Sequence, residues 1–118
     1  MRSILAICLN PCLDISVGLP DAVELAVGEL NRYERLRAVA GGKGLNVARL
    51  LSEQGWDSST FLALPAVSRG IQSYFEMERY GACVYQVPGE LRINLKVHEH
   101  QPGGRARMTE FNGSGDPL

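Results

Sequence analysis

The sequence is short of most features that would place it in a specialised class. Its 118 residues include three cysteines, two lysines, two histidines and one tryptophan. Three cysteines, placed as Cys8, Cys12 and Cys83, do not make a disulfide framework. The Cys8-x3-Cys12 pair would need about two more ligands to hold zinc, and His98 and His100 are far along the chain. Free thiols in a reducing cytosol are the better reading, which makes the expected protein cytoplasmic and metal-free. His98 and His100 stand two apart in a strand-like stretch, share one face, and read as exposed strand surface. No apolar run approaches the roughly 18 residues of a spanning helix, so no membrane partner is expected. The apolar start is broken by Asn10-Pro11 and reads as a strand, not a signal peptide. Charge of one sign is also lacking: 12 basic against 13 acidic residues leave a net charge of −1, which argues against a nucleic-acid binder relying on bulk basicity. With 45% hydrophobic residues the chain is not disordered. Repeats and low-complexity tracts are absent, and the length allows one domain.

What is present is an alternation of short elements. Ser3 to Leu9 is an apolar run that fits a buried strand. Ile15, Val17 and Leu19 alternate with Ser16 and Gly18 as a half-exposed strand closed by Pro20-Asp21. Leu30 to Val39 reads as a solvated strand paired with it. A helix follows Gly41-Gly42-Lys43-Gly44, with Val47, Ala48 and Leu51 on one face, Leu45 and Leu50 flanking, and Gly55 as its stop. Ser59 to Leu64 is a second apolar strand. Ser68 is placed to cap a second helix in which Ile71, Tyr74, Phe75 and Glu78 form a core-facing stripe, ended by Gly81. Ala82 to Val87 is a third strand. This order predicts a parallel α/β layer. Leu91 to His98 and Ala106 to Phe111 alternate around Gln101-Pro102-Gly103-Gly104 and predict a hairpin that could join the polar strands near the start.

Charge is unevenly spread. Residues 1–31 carry one base and four acids, whereas residues 32–50 carry Arg32, Arg35, Arg37, Lys43 and Arg49 against Glu34 alone. Such a stretch either steers an anionic small molecule or is a solvated face. The basic stretch contains the most informative segment, Ala40-Gly41-Gly42-Lys43-Gly44-Leu45-Asn46-Val47-Ala48-Arg49. Glycines before a helix let the backbone approach a ligand and present N–H groups at the positive helix end. A Walker loop is excluded, because Gly44 stands where Ser or Thr must follow Gly-Lys. A dinucleotide fingerprint is excluded by Val47 at its last glycine position. The first strand ends in Leu9-Asn10-Pro11-Cys12-Leu13-Asp14, where an open α/β sheet places ligand groups. An aspartate there can accept two sugar hydroxyls.

Five segments in order carry a resemblance: Leu9 to Asp14, Gly28-Glu29-Leu30-Asn31-Arg32, Ala40 to Arg49, Arg92-Ile93-Asn94-Leu95-Lys96, and Thr109 to Gly115. Together they resemble the PfkB (ribokinase-like) carbohydrate kinases, in particular the 1-phosphofructokinase and tagatose-6-phosphate kinase branch. The resemblance spans essentially the whole chain and the N-terminal part, well under half, of a family member. It implies a ribokinase-like α/β sandwich carrying a small polar β-sheet lid, with lid strands at about 14–19, 30–39, 91–98 and 106–111. It also implies a sugar-phosphate acceptor site. Asp14 matches the aspartate that holds sugar hydroxyls, Gly41 and Gly42 the backbone donors, and Asn46 the asparagine one turn on. Lys43 matches the lysine near the substrate, and Arg92 the arginine that binds its phosphate, with Asn94 and Lys96 as further candidates. A solvated strand face is the alternative for Arg92 and Lys96. Arg32 could reach a phosphate across a dimer.

Three departures stand out. Leu64 to Gly70 replaces a glycine-rich segment, Cys12 replaces an alanine, and Leu91 replaces a small hydroxyl residue. The family's late catalytic base and nucleotide pocket have no counterpart here. Gly113-Ser114-Gly115-Asp116 imitates that base segment, but Pro117-Leu118 leaves no helix after it. The implied parent transfers the ATP γ-phosphate, with Mg²⁺, to fructose 1-phosphate or a related ketose phosphate. The chain alone is expected to bind no ATP, to have no catalytic residue of its own, and to show an open sheet edge and bare apolar surface. The alternative is a non-catalytic module that binds a phosphorylated ketose or forms a homodimer through the lid.

Overall fold

The computed structural model describes residues 2–66, 69–76 and 82–114. Ser68, Glu78, Gly81 and the Gly115-Asp116 pair, to which the sequence assigned a cap, a stripe position, a stop and a mimic of the base segment, lie outside the described residues. Nine elements run in the order β1 (Ser3–Cys8), β2 (Cys12–Gly18), β3 (Arg35–Gly41), α1 (Lys43–Glu53), β4 (Asp57–Pro65), α2 (Arg69–Glu76), β5 (Ala82–Val87), β6 (Arg92–His100) and β7 (Ala106–Asn112). They form two sheets. One is parallel, in the order β1-β4-β5, and the other is mixed, in the order β3-β2-β6-β7. This is the α/β sandwich portion with a second small sheet that the sequence indicated. In the mixed sheet β2 pairs antiparallel with β3 and parallel with β6, and β6 forms the hairpin with β7.

The parallel sheet buries one face. Ala6 and Cys8 of β1 and Leu62 and Leu64 of β4 point to Leu45 and Ala48 of α1 and Phe75 of α2, with Ile71, Val84 and Leu91 at the margin. Period-two alternation turns Leu5 and Ile7 the other way, where they are 61% and 60% exposed beside Tyr85 at 62%. β1 is therefore buried on one face only, not on both as its continuous apolar run suggests. No described element covers its second face.

The helix α1 also differs in detail from its sequence reading. Leu45 and Ala48 are buried, while Val47 and Leu50 are 48% and 54% exposed. The helix shows β1 the 45–48 line because Gly44 lets it come close: a Cβ there would lie 2.6 Å from the Ile7 carbonyl oxygen. Its C-terminus closes as the sequence implies. Gly55 takes φ +87°, its N–H bonds to the Ser52 carbonyl, and the Trp56 N–H bonds to that of Leu51. That pair of bonds is a Schellman motif.

β3 begins at Arg35, not near residue 30. The preceding residues are held in a loop by Asn31, whose side chain bonds the backbone N–H and carbonyl of Ala26 and the carbonyl of Glu29. That local competition removes the segment from the ladder. At the far end of the sheet Glu99 is fully buried and receives two hydrogen bonds from Arg107, at 3.0 and 2.8 Å.

Candidate functional site

β2 starts where three strands meet. Cys12 is the cross-strand partner of both Gly41, at the end of β3, and Arg92, at the start of β6. Two residues on, Asp14 faces Asn94. Even-numbered residues of β2 share one face of the sheet, so Cys12, Asp14, Arg92, Asn94 and Lys96 point to one side. Gly41 leads directly into α1. Residues far apart in sequence are thus gathered by register alone.

Asp14 is the centre of this group. Its Oδ1 accepts from Asn94 Nδ2 at 3.0 Å and from the Cys12 thiol at 3.5 Å. Its Oδ2 lies against Gly41, so close that a Cβ on that glycine would collide with it. The carboxylate is therefore held on one oxygen, with the other turned to the glycine backbone. Asn94 Oδ1 and Arg92 Nε are buried without a hydrogen-bond partner. Unpaired buried polar atoms are costly, and these two lie beside Asp14, whereas the other two among the described residues, Ser58 Oγ and Thr60 Oγ1, lie in β4.

The glycine turn is built for close approach. Gly42 is the N-cap of α1 with φ 127°, a conformation that favours glycine, and a Cβ there would lie 2.6 Å from Cys8 Sγ. No side chain caps the helix and its first turn holds no acidic residue. The first-turn N–H groups have no intrahelical acceptor, so the positive end of the helix is open to an anion. Lys43 is exposed at this end and makes no ion pair among the described residues. Arg49 reaches back to bond the Ala40 carbonyl at 2.9 Å and Asn46 Oδ1 at 3.3 Å. Asn46 is thus tied to the turn as well as standing one helical turn beyond it.

Arg92 donates from Nη2 to the Asn10 carbonyl at 3.2 Å, which lays its guanidinium over the end of β1. Gly113 closes in behind it, its N–H bonded to the Ile93 carbonyl, and a Cβ on Gly113 would stand 3.3 Å from Arg92 Cγ. Lys96 lies further along β6, 3.9 Å from Glu110. The structure brings Asp14, Gly41, Arg92 and Asn94 together, with Gly42 and Lys43 next along the chain. Arg32 is not among them. It precedes β3, whose run to Gly41 is about 20 Å long.

Two partners carried little weight in the sequence, Asn94 as a further candidate and Cys12 only as a departure from the family pattern. Asn94 is the principal contact of Asp14, a relation that only the β2–β6 register reveals. Cys12 is the other. Burial, then the adjacent Asp14 charge, pushes its thiol up to about 11, partly opposed by Arg92. The thiol is therefore a hydrogen-bond donor at neutral pH, not a nucleophile.

Among the described residues no group of three or more His, Cys, Asp or Glu is placed to hold a metal ion, and no helix is long and apolar enough to cross a membrane. No family model matches the chain. Curated relatives do. Tagatose-6-phosphate kinase of Staphylococcus epidermidis is 38% identical over 101 residues, which are 83% of this chain and 31% of that protein. The 1-phosphofructokinase of Escherichia coli K12 is 32% identical over 115 residues, 97% of this chain and 35% of that protein. Among solved structures, phosphofructokinase-2 from Escherichia coli in complex with substrates and products superposes with a TM-score of 0.80 at 23% identity, covering 100% of this chain and 36% of that one. A possible 1-phosphofructokinase from Thermotoga maritima superposes with a TM-score of 0.71 at 22% identity, covering 99% and 37%. The structural likenesses bear on the fold. The chain spans about a third of the length of the relatives it matches.

Proposed function

We propose, on the footing that the chain is homologous to part of the PfkB carbohydrate kinases of the tagatose-6-phosphate kinase and 1-phosphofructokinase kind, that it forms the acceptor side of a sugar-phosphate kinase. The observation that carries this is the Asp14 carboxylate, held on one oxygen by Asn94 and Cys12 and turned on the other to Gly41, beside an uncapped helix end. In this reading Asp14 accepts from sugar hydroxyls, and the backbone at Gly41 and Gly42 donates to the sugar. Asn46 orients it, while Lys43, Arg92 and Lys96 neutralise the phosphate. A planar guanidinium such as that of Arg92 suits a phosphate by paired hydrogen bonds. The acceptor is fructose 1-phosphate or a related ketose phosphate.

A complete kinase of this kind would take its phosphoryl group from ATP with Mg²⁺. ATP and Mg²⁺ are implied for the complete enzyme, and the described residues are not assigned to holding them. No transfer step is assigned to them. Phosphoryl transfer rests on positioning and charge stabilisation around the reacting group, so the chain by itself should bind acceptor and turn over nothing.

A second reading has its own observation. By register Leu36, Ile93 and Phe111 share the other face of the mixed sheet, and they are 54%, 45% and 57% exposed. An apolar sheet face of that kind supports a non-catalytic module that dimerises through the lid. The two readings separate in one titration. Calorimetry of the chain with fructose 1-phosphate and tagatose 6-phosphate should give saturable binding that Asp14→Ala and Arg92→Ala each weaken at least tenfold, with no ADP formed from ATP. Dimerisation with no heat from either sugar phosphate would support the module instead, and turnover by the purified chain would refute the assignment of a half-site.

A further inference from the structure

The polar face of the mixed sheet continues past the Asp14 site, and apart from Lys96 its far half is not used by that site. The next row across the sheet is Arg37–Ser16–Lys96, and the row after it Arg35–Gly18–His98. His100 follows on the same face of β6. Gly18 has no side chain at the middle of its row, so a shallow cavity of about 190 Å³ opens there between Arg35 and Arg37 on one wall and His98 and His100 on the other, with Ser16 in its floor. The glycine is needed for this shape. A Cβ on Gly18 would meet Arg35 Nε at 2.9 Å, so the guanidinium already lies over the position that a side chain would fill.

We infer that this cavity is a second anion site, taking a phosphate group either free or carried on a small molecule. Arg35, whose Nη2 also donates to the Leu19 carbonyl at 3.5 Å, lines it together with Arg37 and Ser16, and the two imidazoles can add donors. Two carboxylates stand near the residues that line the cavity. Asp21 is 3.9 Å from Arg35 with both side chains largely exposed, and Glu110 is 3.9 Å from Lys96. Exposed pairs at that distance are weak and readily exchanged for a phosphate. Arg37 makes no ion pair among the described residues. A cation is disfavoured, since the paired histidines face two arginines. Gly18 stands four positions along β2 from Asp14, about 13 Å at strand rise. That span keeps a phosphate here from being the one proposed for Arg92. The inference does not rest on the acceptor reading.

The test uses the full chain and follows backbone amide shifts while inorganic phosphate, a simple phosphomonoester (glycerol 3-phosphate) and chloride are added at constant ionic strength. Saturable shifts at Ser16, Gly18, Arg37 and His98 with phosphate, absent with chloride, are expected. Arg37→Gln should weaken that binding about tenfold, and Gly18→Ala, which displaces Arg35, by a similar factor. Asp14→Asn should leave it unchanged. Tighter binding of the ester than of phosphate would mean a carried group, and equal binding a free anion. Equal responses to chloride, or shifts confined to Lys43 and Arg92, would overturn the proposal. So would retention of phosphate affinity in Arg37→Gln and Gly18→Ala proteins that melt like the parent.

Discussion

Gly41 is packed directly against the Asp14 carboxylate. An added methyl would collide with Asp14 Oδ2, and the carboxylate would have to turn away from the helix end. We expect Gly41→Ala to lower sugar-phosphate affinity at least tenfold while leaving most of the secondary structure, as read by calorimetry beside circular dichroism. The thiols give a separate residue-scale prediction. Cys8 and Cys12 are buried and Cys83 is exposed. At pH 8 a thiol reagent should therefore titrate one cysteine quickly in the folded chain and all three after denaturation. Because the folded Cys12 pKa is raised from 9.0 to about 11, the thiol form is favoured by folding. Its contribution to stability is fully present below pH 9 and is lost as pH rises toward 11. Cys12→Ala should remove that alkaline component of a urea-melt series. These candidate positions were partly readable in the sequence. Asp14, the two glycines and Arg92 were marked by motif, whereas Asn94 gained its weight only from standing across the ladder from Asp14.

At the scale of elements, the far end of the mixed sheet depends on one buried carboxylate. Two hydrogen bonds from Arg107 hold Glu99 below the usual carboxylate range against the effect of burial, with help from the Leu25 backbone N–H. A depressed folded pKa gives stability that is present above the ordinary value of 4.5 and lost as pH falls through the folded value. Acid should thus release the loop around Leu25 first, seen as faster amide exchange there below about pH 4.5 than in β1 or β4. Glu99→Gln should flatten that pH dependence and lower Tm. The helix α2 is anchored by the fully buried ring of Phe75. Removing it in Phe75→Ala should cost about 3–5 kcal/mol in urea denaturation. The element order was legible because strand and helix periods differ. The boundaries were less so: β3 starts late because Asn31 bonds its own loop, and α1 buries Leu45 and Ala48 where the pattern favoured Val47 and Ala48.

At the scale of the whole molecule, two apolar surfaces are uncovered among the described residues. One is the second face of the parallel sheet at Leu5, Ile7 and Tyr85, and the other is the face of the mixed sheet at Leu36, Ile93 and Phe111. Burial of such area stabilises by about 25 cal/mol per Å², so association is the expected outcome in solution. Sedimentation of the chain should show self-association, reduced by Ile7→Lys if the parallel sheet carries it and by Phe111→Lys if the mixed sheet does. A monomer unaffected by either change would contradict this.

The sequence by itself determined the α/β class, the glycine turn before the helix, the hairpin and the candidate site residues Asp14, Gly41, Gly42 and Arg92. Those follow from local periodicity and from short-range turn chemistry, which act within a few residues. Tertiary structure alone decided that β2 lies between β3 and β6. That placement puts Asp14 against Asn94 and Gly41, arranges arginine and histidine around Gly18, and leaves Ile7 bare. Pairing between segments some 80 residues apart carries no local signature. It is selected by which faces can be buried together, a property of the folded chain as a whole.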